Sequence, residues 1–247
     1  MKNKIIITAG GTSEKIDNVR KITNNASGKL GCMIANKLIE LANDKIEKIY
    51  YICSKNSYKP EHEKIDLIEV FNTNDLKNKV EEILTNEDIN YFIHSMAVSD
   101  YTVDFITTAK KVAQNINNNK DKDVYSLISN NRDNINENKI SSYEDDLIIK
   151  LKRTPKIISL IKDISPKTYL IGFKLLDGVS EEELIDVAIK LKDKNRCDLV
   201  VANDLSYIRN GNHKAFIIGK NNQYIKASGK DDIAVKLIRE MFKDDKL

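Results

Sequence analysis

The chain has 247 residues, of which 41% are hydrophobic and 31% are charged, and its formal net charge at pH 7 is +3. This length allows a sizeable core, and we predict a single domain over residues 1–247. Because 40 basic residues are nearly balanced by 37 acidic ones, the composition argues against a nucleic-acid binder, which usually carries a concentrated basic excess.

Cysteine usage and hydropathy predict a cytoplasmic protein. Cys32, Cys53 and Cys197 lie far apart and form no C-x-x-C pair, which favours reduced thiols and no thiolate metal site. No apolar run approaches the length of a membrane span, and no signal-peptide pattern precedes the apolar run at Ile5. We therefore expect no membrane partner.

The first part of the chain alternates predicted strands and helices. Residues 4–9 are an apolar, β-branched run that ends at Gly10-Gly11, which is typical of a buried parallel strand. A helix is predicted from Gly28, because apolar residues recur there at helical spacing. Further strands are predicted at residues 48–53, near 67–71 and at 91–94, with a helix at 75–84.

Residues 102–138 interrupt this alternation. They are rich in Asn and Lys and contain neither Gly nor Pro. Because a long loop in a compact domain is usually functional or disordered, this segment is interpreted either as a surface insertion or as a functional flap, with neither favoured.

The alternation resumes in the second part of the chain. Strands are predicted at residues 146–150, 168–173 and 198–202, and a hairpin at 215–218 and 224–225. Helices are predicted from Pro155, over 180–194 with Ser180 and Glu183 as a capping box, and after Ser228. The pattern predicts a Rossmann-like, doubly wound α/β fold with a mainly parallel sheet, a flap at about residues 102–145 and a C-terminal hairpin.

Two turns near the amino terminus are candidate anion sites. Gly10 and Gly11 let a ligand approach bare N–H groups, and Thr12 adds a hydroxyl, although an ordinary tight turn is an equal alternative. Ser27-Gly28 begins the next predicted helix, where free N–H groups and Lys29 can bind an anion unless Lys29 is merely solvated. Neither a Walker loop nor G-x-G-x-x-G is present.

Three further polar residues have two interpretations each. Asn24 could simply cap the helix after it, or contact a ligand. Asp100 could bind Mg²⁺ or a ribose hydroxyl, or serve as a cap. His94 could be a catalyst or a core histidine, and its place within an apolar strand favours a core histidine. The sequence contains no G-x-S-x-G, no H-E-x-x-H and no His/Cys cluster at metal spacing.

Six sequence blocks resemble the phosphopantothenoylcysteine synthetase family. They are ITAGGTSEKIDNVRKITNNASGKLG, HSMAVSDY, NKISS, LKRTPKII, GFKLL and ANDLS, and they occur in family order across nearly the whole chain. Because the first predicted strand begins at Lys4, we expect no fused flavin decarboxylase domain, and the blocks most resemble the stand-alone bacterial form of the family.

The resemblance implies a ligase that joins 4′-phosphopantothenate to L-cysteine in coenzyme A biosynthesis. CTP would activate the carboxylate as an acyl-cytidylate with release of pyrophosphate, and the cysteine amine would then displace CMP, with Mg²⁺ as the metal. Such catalysis must hold two polyanions together, which suits N–H nests and lysines. The choice between CTP and ATP stays open, because base selectivity depends on backbone contacts.

The resemblance also assigns residue roles. Catalysis would involve Asn24, at the acyl intermediate, and the flap residue Lys139. The nucleotide would contact Gly10, Gly11, Thr12, Ser27, Gly28, Met96, Ala97, Asp100, Lys139, Pro155, Lys156, Ile157, Ile158 and Phe173, with Asp100 as the metal ligand. The substrate would contact Asn24, Ala97, Asn203, Asp204, Lys190 and Lys194.

The chain departs from many bacterial relatives at the flap. They carry a K-x-K-K motif, whereas this chain has Lys139-Ile140-Ser141-Ser142, so only the first lysine is carried over. The resemblance implies a homodimer, since a long flap can cover a neighbouring site. Two alternatives remain open: a nicotinamide-dependent reductase of the same fold, and a nucleotide-binding module without catalysis.

Overall fold

The computed structural model describes residues 2–129, 139–141, 143–209 and 213–243. The strands are β1 (Asn3–Ala9), β2 (Ser13–Lys15), β3 (Lys21–Thr23), β4 (Ile46–Cys53), β5 (Ile65–Glu69), β6 (Tyr91–His94), β7 (Tyr101–Thr108), β8 (Leu147–Arg153), β9 (Tyr169–Leu176), β10 (Leu199–Asp204), β11 (Lys214–Ile218) and β12 (Tyr224–Ser228). The helices are α1 (Lys29–Ala42), α2 (Thr73–Asn86), α3 (Ala109–Asn118), α4 (Val124–Ser129), α5 (Ile157–Ile164), α6 (Glu181–Asn195), α7 (Leu205–Arg209) and α8 (Lys230–Met241).

An eight-stranded sheet forms the centre of the molecule, in the order β12-β11-β10-β9-β6-β1-β4-β5. The six strands from β10 to β5 are parallel, and β11 and β12 add an antiparallel hairpin at one edge. The predicted α/β fold with a mainly parallel sheet and a C-terminal hairpin is therefore confirmed.

Helices cover both faces of the sheet. Because successive residues of a strand point to opposite faces, each strand can pack against helices on both sides. Ile5 and Ile7 of β1 pack in one buried cluster with residues of α1 and α8, whereas Ile6 packs in a second cluster with residues of α2, α5 and α6. The strands are therefore apolar on both faces, which explains the continuous apolar run from which β1 was predicted.

The expectation of an irregular segment at residues 102–138 is wrong for its described part. Residues 101–108 form β7, which pairs with β8 in an antiparallel ribbon, and α3 and α4 follow. Phe105 and Ile106 are buried in this ribbon, so its apolar and β-branched residues determine the local structure more than the surrounding Asn and Lys do. Residues 130–138 of the predicted segment lie outside the described residues.

Several predicted boundaries move by a few residues. Helix α5 begins at Ile157 rather than at Pro155, because Lys156 is still extended. The strand predicted near 67–71 is β5. Helix α2 begins earlier than predicted, because Asn72 just before it and Asp75 in its first turn form a capping box. At α6 the Ser180 hydroxyl accepts a hydrogen bond from the Glu183 N–H, which is one half of the predicted capping box. Within the described residues, the helices are too short or too polar to cross a membrane.

Candidate functional site

A cavity of about 560 Å³ opens at the carboxyl ends of the central strands. Strand β1 lies where the chain order reverses: β4 and β5 follow on one side, and β6, β9 and β10 on the other. Ligands of doubly wound sheets bind at such a switch point. The cavity is lined by Gly10, residues 25–31, 94–100 and 154–158, Phe173, Lys174, Leu175, Leu191, Asn203, Ile208, His213 and Lys230.

The Gly10-Gly11 turn after β1 is packed so closely that side chains are excluded. Gly10 has a φ of 85°, and a Cβ there would lie 1.9 Å from the Ser57 Oγ. A Cβ on Gly11 would lie 1.8 Å from the carbonyl oxygen of Asn24. At Gly10, which lines the cavity, the turn therefore presents backbone alone, and the stretch around Asn24 lies directly against Gly11.

The amino terminus of α1 meets this turn. Its N-cap residue, Gly28, has a φ of 71° and no capping side chain, and the first helical turn contains no acidic residue. A Cβ on Gly28 would lie 3.0 Å from the Gly10 nitrogen, so the two candidate anion turns are in contact. Uncapped N–H groups at a helix amino terminus favour an anion.

Lysines dominate the charge of the cavity wall. Among the described residues that line it are four lysines and one carboxylate; these are Lys29, Lys156, Lys174, Lys230 and Asp100. Lys156 and Asp100 form an ion pair in which both side chains are about two-thirds exposed (65% and 64%). The wall therefore suits a ligand with several negative charges.

Asn24 and Thr12 lie beside the cavity and outside its lining. The Asn24 Nδ2 donates a hydrogen bond to the Val98 carbonyl (3.0 Å), so the interpretation of Asn24 as the cap of α1 is wrong. Thr12 is fully buried, and its Oγ1 accepts from the Ser99 N–H (2.8 Å) and donates to the Ser99 Oγ (3.0 Å). These bonds join the turn after β1 to the segment after β6.

His94 is a buried residue, as predicted from its apolar strand, and it also lines the cavity. Its Nδ1 is 2.9 Å from the Thr8 Oγ1, and its ring packs edge-on to Phe92. Burial lowers the pKa of His94 to about 4, so the ring is neutral near pH 7. It can offer the cavity a hydrogen-bonding edge without adding charge.

The carboxylate of Asp204 is occupied within the protein. It accepts hydrogen bonds from the N–H groups of Gly178 (3.1 Å), Val179 (3.0 Å) and Ser206 (2.7 Å), and from the Ser206 hydroxyl. Burial alone would raise its pKa, but these bonds outweigh burial and hold the pKa well below the usual range. Asp204 thus fixes the loop after β9, while its neighbour Asn203 lines the cavity.

The sequence-predicted site residues fall into two groups. The cavity lining brings together Gly10, Ser27, Gly28, Met96, Ala97, Asp100, Pro155, Lys156, Ile157, Ile158, Phe173 and Asn203. Outside the lining lie Gly11, Thr12, Asn24, Lys139, Asp204, Lys190 and Lys194, of which the three lysines are solvent-exposed.

Among the residues of the cavity wall that sequence reasoning missed are His213 and Lys230. The His213 Nε2 is buried and has no hydrogen-bond partner among the described residues, and burial and then the nearby Lys230 lower the pKa of the ring. Their position follows from topology: because β11 runs antiparallel to β10, the residue before β11 lies at the carboxyl end of β10. The predicted hairpin contained this signal.

The sequence matches the profile of one protein family over residues 1–135 and 130–244. That family is described as the DNA/pantothenate metabolism flavoprotein C-terminal domain, and the chain belongs to it. The resemblance drawn from the six sequence blocks is confirmed at this level.

Two curated relatives carry the name coenzyme A biosynthesis bifunctional protein CoaBC. The protein from Thermococcus kodakarensis is 31% identical over 88% of this chain and 45% of its own length. The one from Methanocaldococcus jannaschii is 29% identical over 98% of this chain and 51% of its own length. The chain thus spans about half the length of the curated relatives it matches.

Solved structures show the same fold. The DNA/pantothenate metabolism flavoprotein from Streptococcus pneumoniae is 37% identical, with a TM-score of 0.84 over 99% of this chain and 100% of that one. A Cab2 variant in complex with phosphopantothenate-cysteine is 16% identical, with a TM-score of 0.69 over 98% of this chain and 87% of that one. The second likeness shows the fold alone.

The neutral state of His94 predicts a pH dependence of stability. Its pKa is about 4 in the folded protein against 6.5 ordinarily, so the unfolded chain binds the proton more readily. The contribution of neutral His94 to the free energy of unfolding is fully present above pH 6.5 and is lost as the pH falls towards 4. The loss amounts to about 3 kcal/mol. In urea unfolding across this range, the free energy of unfolding should fall more steeply for the wild type than for His94→Gln. Parallel pH profiles would contradict the assignment.

Proposed function

We propose that the chain is a phosphopantothenate–cysteine ligase. It joins 4′-phosphopantothenate to L-cysteine through an acyl-cytidylate, with CTP and Mg²⁺. The observation that carries this proposal is the contact between the Gly10 turn and the amino terminus of α1, at the mouth of a cavity with four lysines. The names of the relatives support the coenzyme A pathway.

The reaction has two steps with different demands. First, a carboxylate oxygen of phosphopantothenate attacks the α-phosphorus of CTP, and pyrophosphate leaves. The cysteine amine then attacks the acyl carbon, and CMP leaves with that carboxylate oxygen. Two anions must approach each other in the first step, so donors and cations that neutralise phosphate charge lower the barrier.

The nucleotide occupies the cavity in this proposal. Its phosphates meet the backbone of the two turns at Gly10, Ser27 and Gly28, while Gly11 and the fully buried Thr12 support the first turn from outside the lining. Its nucleoside meets Met96, Ala97 and Asp100 on one wall, Pro155, Lys156, Ile157 and Ile158 on another, and Phe173 beside the base. The buried Ile157 and half-buried Phe173 support an apolar surface for the base.

The donor set fits a magnesium ion carried by the nucleotide. Among the described residues no group of three or more His, Cys, Asp or Glu could hold a metal. Mg²⁺ is commonly bound by one or two carboxylates together with substrate phosphates. Asp100 would supply the carboxylate, and because it is paired with Lys156, the ion pair must open for Asp100 to take that role.

The substrate lies next to the nucleotide. Asn24 contacts the acyl group from the edge of the cavity, and Ala97 and Asn203 contact the pantothenate moiety. Asp204 acts through the loop it fixes. Lys190 and Lys194 are exposed residues of α6 outside the cavity lining, so the proposal gives them no contact within the cavity.

A homodimer is part of the proposal, because Lys139 is exposed and lies outside the cavity of its own chain. In a dimer this lysine can serve the cavity of the second copy. Light scattering after size exclusion should give twice the chain mass at micromolar concentration. A monomer mass for a catalytically active sample would reject the dimer.

Pyrophosphate release tests the proposed function directly. The protein is incubated with phosphopantothenate, Mg²⁺ and either CTP or ATP, with and without cysteine. We expect pyrophosphate release that requires phosphopantothenate, and cysteine-dependent release of CMP. No release with either nucleotide, or nucleotide binding indifferent to phosphopantothenate, would refute the ligase.

The two proposed catalytic residues should affect different steps. Lys139→Gln removes a cation from the reacting carboxylate and triphosphate, so acyl-nucleotide formation should fall by about 10²-fold. Asn24→Asp should let the acyl-nucleotide form and slow its use, because a negative charge replaces the amide beside the acyl group. Single-turnover assays with mass-spectrometric detection of the intermediate separate the steps. Near-normal turnover in both variants would reject both roles.

A further inference from the structure

The small hairpin of β2 and β3 carries at its tip an ion pair between a buried carboxylate and a partly exposed guanidinium. The Asp17 side chain is fully buried, and its carboxylate accepts two hydrogen bonds from the Arg20 guanidinium, from Nε (2.9 Å) and from Nη2 (2.6 Å). The same carboxylate accepts the backbone N–H groups of Val19 (2.8 Å) and Arg20 (2.6 Å). The pair is therefore held rigidly to the hairpin.

This ion pair also binds a residue far along the chain. The Ile140 N–H donates to the Asp17 Oδ2 (3.1 Å), and the Arg20 Nη2 donates to the Ile140 carbonyl oxygen (2.7 Å). The Asp17 and Arg20 side chains thus form hydrogen bonds with both backbone polar groups of Ile140. The Ile140 side chain is also buried, in a cluster with Ile106.

These contacts fix two successive peptide groups. The N–H of Ile140 belongs to the peptide that links it to Lys139, and its carbonyl belongs to the peptide that links it to Ser141. Since a peptide group is planar, holding both leaves the Cα of Lys139 little freedom. The Lys139 side chain itself remains exposed.

The charge state of the pair supports a permanent anchor. The hydrogen bonds from Arg20 outweigh burial and, with those from Val19 and Ile140, hold the pKa of Asp17 well below its usual range. The carboxylate therefore stays ionised at any pH at which the protein works. Burying this charge is favourable only while its donors are present, so the loss of Arg20 or of the Ile140 contact carries a cost.

We propose that Asp17 and Arg20 are positioning residues that act through Lys139. By fixing the Ile140 backbone they set where the Lys139 ammonium can reach. The inference rests on the proposed function only for the catalytic role of Lys139 at the reacting carboxylate and triphosphate. A flexible lysine side chain gains catalytic precision from a fixed backbone, and a displacement of about 1 Å can cost about 10²-fold in rate.

Hydrogen exchange tests the anchor without any assay of activity. The Ile140 amide should be protected in the wild type and should exchange much faster in Asp17→Asn, while the amides of β1 keep their protection. Arg20→Lys is the second variant, since Arg20 is partly exposed (41%) and lysine keeps its charge; we expect the fold to be kept and the Ile140 amide to exchange faster. An Ile140 amide that exchanges in the wild type as fast as a free peptide would overturn the proposal.

A double-mutant cycle tests whether the pair acts through Lys139. Asp17→Asn should lower phosphopantothenate-dependent pyrophosphate release by about 10²-fold in the wild-type background. In the Lys139→Gln background it should cause no further loss, because the residue that it positions is already gone. Equal losses in both backgrounds, or no loss in either, would overturn the proposal.

Glu87→Gln is the matched control. Glu87 forms an ion pair with Lys4 (2.6 Å) and accepts a hydrogen bond from the Tyr50 hydroxyl (2.8 Å). Lys4 lies at the amino end of β1, whereas the cavity lies at the carboxyl end. It should lower stability and leave the rate unchanged; a rate loss equal to that of Asp17→Asn would overturn the positioning role. A wild type that releases no pyrophosphate would refute the proposed function instead, and hydrogen exchange would still decide the anchor.

Discussion

The absence of side chains at four positions lets two backbone turns meet at the carboxyl end of β1. A Cβ on Gly10, Gly11 or Gly28 would run into a serine side chain or into the backbone of the neighbouring turn. A Cβ on Gly31 would lie 2.7 Å from the Ala9 Cβ, so glycine also holds α1 close to β1. This close approach directs the free N–H groups of the helix start at the same space as the turn.

The side chains around that space differ in charge. The lysines of the wall attract phosphate, while His94 stays neutral because it is buried, and Asp100 is balanced by Lys156. A site of this kind stabilises negative charge without a dedicated metal cage. In our proposal the Asp17–Arg20 pair positions Lys139, which lies outside the cavity lining, through its contacts with the Ile140 backbone.

Local pattern was enough to predict most of the fold. The apolar run of β1, the glycine turn after it and the helical spacing from Gly28 are short-range signals, and each is confirmed. Strand β8 was predicted, but β7 and its pairing with β8 were missed, because β7 lies in an Asn- and Lys-rich context and its partner lies some forty residues later. Strand pairing at such a distance depends on tertiary contacts that no local window contains.

The site was predictable only in part, for the same reason. Turns such as Gly10-Gly11 and Ser27-Gly28 are visible in the sequence, and the topology of the sheet brings them together. Asp17 and Arg20 lie in the first of the six sequence blocks, but their contact with Ile140 spans more than a hundred residues and involves the backbone of Ile140. Backbone groups have no sequence signature, so this contact required the structure.

Transfer of oxygen from substrate to nucleotide tests the central claim, that the cavity holds an acyl-nucleotide intermediate. Phosphopantothenate labelled with ¹⁸O in its carboxylate is turned over with CTP, Mg²⁺ and cysteine, and the CMP and pyrophosphate are weighed by mass spectrometry. The account predicts one ¹⁸O atom in CMP and none in pyrophosphate. Ligation that yields unlabelled CMP, or that places the label in orthophosphate, would contradict it.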